Sequence, residues 1–148
     1  MILKTEKKTI ELRPTTRKIV KMTEENGCKN LNEYFFKVLN DHDIKGLATI
    51  IYNFAEVENR NAFSNVHEVY DFIDAYRTEN NKTYDELTKE IGEFINDMGF
   101  FNVKMTKEEF QKMMEDPFSS FNMKKIINDS TEKAITEVVA EEFRGYKA

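Results

Sequence analysis

Repeatedly along this chain a capping side chain is followed three positions later by a glutamate and then by apolar residues at helical spacing, as in Asn30 with Glu33, Thr83 with Glu86, and Thr106 with Glu109. The first side chain of such a pair accepts from a free backbone N–H of the opening turn while the glutamate reaches back to the cap, so each pair fixes where a helix begins. With so many fixed starts, helix is the expected state from Thr15 onward.

The apolar positions agree. Thr15 or Thr16 opens a run with Ile19, Val20 and Met22 that stops at Asn26-Gly27, a suitable left-handed exit. Asn30 leads Leu31, Tyr34, Phe35, Val38 and Leu39. Asp41 or Asp43 leads Ile44, Leu47, Ala48, Ile50, Ile51, Phe54 and Ala55, apolar nearly all round and so expected at the centre, with Gly46 permitting close packing. Asn59-Arg60-Asn61 breaks the pattern. Ser64 then caps a face of Val66, Val69, Tyr70, Ile73 and Tyr76, and Thr83 caps one of Tyr84, Leu87, Ile91, Phe94, Ile95 and Met98 that Gly99 ends. Thr106 opens a short helix through Phe110, Met113 and Met114, stopped by Pro117, and a last helix spans Ser119 to Gly145. The predicted fold class is all-α: a compact bundle of six or seven helices over residues 15–148. At 148 residues one domain suffices, burying roughly two-thirds of the surface that the unfolded chain exposes.

Residues 1–14 differ. Thr9, Ile10, Glu11 and Leu12 alternate with the period of a strand, and Pro14 closes the segment. No hairpin partner is legible elsewhere, so this stretch is expected to be an extended N-terminal arm, disordered alone or added to the edge of another copy. Ile2, Leu3, Ile10 and Leu12 are then the self-association residues. The arm is basic, with eight Lys or Arg against four Asp or Glu in residues 1–30, whereas residues 31–148 carry fourteen against twenty-three.

Chemistry is sparsely provided. The chain has two His, one Cys, five Gly and no Trp. Asp41-His42-Asp43 lacks the further ligands a metal needs, and Asp43 reads better as a cap. No phosphate-binding Gly loop, Cys/His ligand spacing or Gly-x-Ser-x-Gly elbow occurs, so neither an enzyme nor a bound cofactor or metal is expected. The net charge of −5 argues against nucleic acid. No apolar run approaches the 18 or so residues of a membrane span, the N-terminus lacks a signal peptide's apolar stretch, and the lone Cys28 suits a reducing compartment, so a cytosolic protein is expected.

What the chain does provide is Phe and Met, 12 and 7 of them. Nine of the 23 residues from Gly99 to Phe121 are large and apolar: Phe100, Phe101, Val103, Met105, Phe110, Met113, Met114, Phe118 and Phe121. That exceeds what a short helix and two loops readily bury, and polarisable, adaptable side chains suit a groove for an apolar helix. Phe100, Phe101, Met105, Phe110, Met113, Met114, Phe118 and Phe121 are therefore the partner-binding candidates.

Three ordered segments carry a resemblance: Ile10-Glu11-Leu12-Arg13-Pro14-Thr15-Thr16-Arg17-Lys18-Ile19-Val20, then Asn30-Leu31-Asn32-Glu33-Tyr34-Phe35-Phe36-Lys37-Val38-Leu39, then Leu47-Ala48-Thr49-Ile50-Ile51-Tyr52-Asn53-Phe54-Ala55-Glu56. By the order of its segments, residues 10 to about 98 of the chain resemble the tail assembly chaperones of long-tailed phages of Gram-positive bacteria. The resemblance implies a helical, non-enzymatic, self-associating holdase in the host cytoplasm, absent from the mature virion. It would coat the apolar helices of the tape measure protein before tail tube protein polymerises round them. Two other roles fit the same residues: a tail or neck component retained in the virion, and a small phage regulator binding a host protein.

Overall fold

Helix starts follow the caps. The computed structural model describes residues 1–103 and 105–115. Within them α1 (Thr16–Glu25) is capped by Thr15, whose hydroxyl accepts from Lys18 N at 3.3 Å. Asn30 caps α2 (Leu31–Asn40), accepting from Glu33 N at 2.8 Å, while the Glu33 carboxylate reaches one residue beyond the cap, to Lys29 N. Asp43 caps α3 (Ile44–Phe54) through Gly46 N. Between Thr83 and Glu86 the reciprocal box closes on both sides at 3.1 Å and opens α5 (Tyr84–Asp97); the backbone N–H of Thr83 holds the Glu86 carboxyl below its usual range. Thr106 and Glu109 make the same exchange ahead of α6 (Lys107–Glu115). For α4 (Val66–Asn80) the cap is Asn65 rather than Ser64: the Asn65 side-chain Oδ1 accepts from Glu68 N, and the Glu68 carboxylate in turn accepts from Ser64 N. The helix expected from Ser119, with Phe118 and Phe121, lies outside the described residues.

The fold is mostly helical, but all-α needs correction. Residues 1–14 are no free arm. Strands β1 (Ile2–Lys4) and β2 (Thr9–Leu12) form a hairpin, and β2 pairs antiparallel with β3 (Ala55–Val57), which turns back into β4 (Arg60–Asn61). The result is a four-stranded sheet in the order β1-β2-β3-β4. Strand β2 thus has two partners that its own alternation does not announce: the short β1 just upstream, and the end of α3, where Ala55 leaves the helix for the sheet. Glu58 and Asn59, both at positive φ, make the tight reversal to Arg60. Alternation along β1 and β2 then does what period-two patterning requires: Leu3, Ile10 and Leu12 enter the core at 1% exposure each, while Ile2 stays 66% exposed.

At the centre lies α3, as expected from its near-uniform apolarity, with α1, α2, α4 and the sheet packed round it. Gly46 is what lets α2 approach: a Cβ there would sit 2.5 Å from Val38 Cγ2. Tyr34 crosses the same contact, donating its hydroxyl to the Gly46 carbonyl at 3.3 Å. Burial pushes its phenol up to about 12, with Asp43 adding to the shift and Thr49 opposing it. A folded pKa above the ordinary value of 10 contributes stability that is complete below pH 10 and lost as pH rises towards 12. Urea unfolding at stepped alkaline pH should show that decline, and Tyr34→Phe should remove part of it; an unchanged slope in the variant would refute the assignment.

Candidate functional site

The Phe and Met residues that the sequence brings together after α5 meet side chains from α2. Phe35 and Phe36 are consecutive, yet both are fully buried, because α2 has helices on more than one side. Phe35 meets Phe36 edge-on with ring centres 5.4 Å apart, Phe101 at 5.4 Å and Phe110 at 6.4 Å. Phe36 stacks on Phe101 at 5.9 Å, and Phe110 closes the group 5.7 Å from Phe101. Contacts of this geometry add to plain area burial. Gly92 on α5 forms the floor: a Cβ there would run into the Phe35 ring, 2.7 Å from Cε1.

On this aromatic bed lies α6. Its charged residues Lys107, Glu108, Glu109, Lys112 and Glu115 face solvent, while Phe110, Met113 and Met114, at i, i+3 and i+4, are buried. The α5–α6 connection is fastened by two buried asparagines. Asn96, 2% exposed, grips both backbone polar groups of Met105: Nδ2 donates to the Met105 carbonyl at 3.1 Å and Oδ1 accepts from Met105 N at 3.2 Å. Asn32 accepts from Asn102 N at 3.0 Å, but its own buried Nδ2 has no partner among the described residues. An exposed contact of 3.7 Å between Lys107 and Glu93 adds little.

Two expectations about exposure are corrected by this arrangement. Phe101, Met105, Phe110, Met113 and Met114 are buried in the chain's own core, and Phe100 is half-buried against it, so these six do not form an open groove. The reason is physical: Phe35 and Phe36 together offer more apolar surface than one helical face, and the surplus downstream covers it. Leu3, Ile10 and Leu12 likewise serve this chain's own core, leaving Ile2 as the accessible member of the self-association set.

Elsewhere the polar groups are engaged in structure. His42 Nδ1 meets the Asp85 carboxylate at 2.9 Å across an exposed gap, and Asp43 is a cap. Cys28 is half-buried; burial, then Glu33, pushes its thiol up, the opposite of nucleophile activation. A concavity of about 340 Å³ lies between the β1–β2 turn and α4, where Lys8 sits 4.4 Å over the Phe63 ring and Glu79 accepts from Glu6 N. Among the described residues no three His, Cys, Asp or Glu are grouped to hold a metal, and no helix is long and apolar enough to cross a membrane. Set against protein-family models, curated proteins and solved structures, the chain matches none.

Proposed function

We propose that this protein is a phage tail assembly chaperone, a non-enzymatic holdase of the host cytoplasm that keeps apolar helices of the tape measure protein soluble before tail tube protein assembles, and that it acts as a self-associated particle absent from the mature virion. The observation that carries the reading is α6 itself. An amphipathic helix presenting Phe, Met and Met at i, i+3 and i+4 lies on a bed of Phe and apolar residues from α2 and α5, which is the geometry by which a groove holds a partner's helix. The order of segments over residues 10 to about 98 supports it independently.

In this reading a client helix takes the place of α6. Burial of Phe110, Met113 and Met114 contributes about 1.5–3 kcal/mol each, and the entropy lost in ordering the nine residues of α6 offsets at least as much. A client helix that buries more apolar area than these three side chains can therefore displace α6. Thioether and aromatic side chains adapt to helices of different sequence.

Co-expression with the tape measure protein of the phage that encodes the chain is the test. The tape measure protein should become soluble and co-purify, and amide exchange in residues 107–115 should speed up in the complex. A tape measure protein left insoluble, or the chain found at fixed stoichiometry in purified particles, would reject the reading in favour of another partner or a structural role.

A further inference from the structure

We propose that the free edge of β1 pairs antiparallel with β1 of a second copy of this chain, about a two-fold axis at Leu3, extending the sheet from four strands to eight. This deepens the self-association in the reading above, and the geometry comes from the ladder.

Leu12 N donates to the Met1 carbonyl and Thr5 N to the Lys8 carbonyl, both at 2.8 Å, on either side of the paired residues Leu3 and Ile10. Bonded and non-bonded pairs alternate in an antiparallel ladder, so Ile2 and Lys4 turn their N–H and C=O groups away from β2. These four groups are a ready template for another strand. Both residues are exposed, whereas the opposite edge of the sheet, β4, is only two residues long.

Self-pairing has one favoured register. With the axis at Leu3, Ile2 faces Lys4 of the second copy twice over, and all four outward groups find partners. An axis at Lys4 would set two lysines opposite each other, and one at Ile2 would leave the Lys4 groups unpaired by β1. A slip by a single residue would set Ile2 and Lys4 against Leu3, whose N–H and C=O already face β2.

Charge complements that register. On the outer face Ile2 lies opposite Glu11, and Glu11 opposite Glu56, so two carboxylates stand side by side. Lys18 pairs with Glu56, while Glu11 has an exposed contact of 4.0 Å with Arg13 and the attraction of the Met1 ammonium. The second copy's Lys4 would extend this row next to Ile2, with its backbone two strands, or about 10 Å, from the Glu11 backbone and the two side chains within joint reach of each other. A concavity of about 250 Å³ on this face, bordered by Ile2, Glu11, Glu56 and Val57, accommodates its stem.

Sedimentation of the purified full chain, without client, over a concentration series is the test. Wild type should form a dimer. In Lys4→Pro the missing N–H is one that points away from β2, so the hairpin survives while the new ladder loses a donor; the dimer should be lost with the circular dichroism spectrum unchanged. Lys4→Glu should weaken dimerisation at least tenfold, and Lys4→Glu with Glu11→Lys should restore it. A monomeric wild type, a dimer indifferent to both Lys4 variants, or a failed charge swap would overturn the proposal. Should Lys4→Pro unfold, the two charge variants decide. Client holding is scored separately, so a monomer that still solubilises the tape measure protein rejects this pairing alone, and a dimer without client binding rejects only the chaperone reading.

Discussion

Phe35→Ala is expected to lower the stability of the fold by about 3–5 kcal/mol, the range for deleting a fully buried aromatic ring. The upper half of that range is the expectation here, because the site cannot collapse. The ring is held between three other Phe rings and the backbone of α5, where Gly92 brings the two helices as close as the ring itself permits. Removing it leaves a cavity bounded by main chain on one side and by rings fixed through their own contacts on the others, so neighbouring atoms lose dispersion partners without gaining new ones. Phe35→Leu keeps most of the volume and should cost markedly less. Chemical denaturation of both variants checks the ordering, and a loss below about 1 kcal/mol for Phe35→Ala would show that the bed repacks freely. The variant bears on function as well: the floor on which α6 lies is the one a client helix needs, so Phe35→Ala should impair client holding even at temperatures where it remains folded.

How far such a bed can be read from sequence depends on which residues obey a single period. Helix starts obey local rules, and Thr15, Asn30, Asp43, Thr83 and Thr106 sit where their side chains can reach an opening turn; only at Ser64 did a neighbouring residue, Asn65, win the cap. Strand alternation at Thr9–Leu12 was legible too. Its two partners were not: β1 is three residues long with only Leu3 turned inward, and β3, equally short, follows α3 without a break in apolar character, with Glu58 not a residue that announces a left-handed turn. The same limit explains the buried Phe and Met residues. One face of α2 predicts Phe35 but not Phe36, and a count that treats Phe36 as surplus overestimates what residues 100–114 must leave exposed. With both rings inside, the excess becomes a second layer of core.

Asn96→Asp is expected to be the other severe change, and one that depends on pH. The native amide donates to the Met105 carbonyl and accepts from the Met105 N–H, so a single side chain satisfies both backbone polar groups of a buried residue. A carboxylate retains the acceptor but loses the donor, faces the carbonyl with like partial charge and is almost wholly removed from water. An orphaned buried group costs about 1–3 kcal/mol and a buried charge more, so a loss of roughly 3 kcal/mol is expected at neutral pH. Desolvation raises the folded pKa of the new acid above its unfolded value. Its protonated form can donate to Met105 again, so the deficit relative to wild type should shrink as pH falls through the folded pKa and be smallest below the unfolded one. Asn96→Leu, which has no proton to gain, should show a deficit independent of pH. Denaturation of the three proteins at matched pH values tests this, and parallel curves for the Asp and Leu variants would show that the grip on Met105 is not what holds the connection. Because that connection carries α6, the neutral-pH Asp variant should also expose the aromatic bed more often and take up client faster than wild type. Slower uptake would mean that α6 is a structural member of the holding surface rather than a helix that makes way for another.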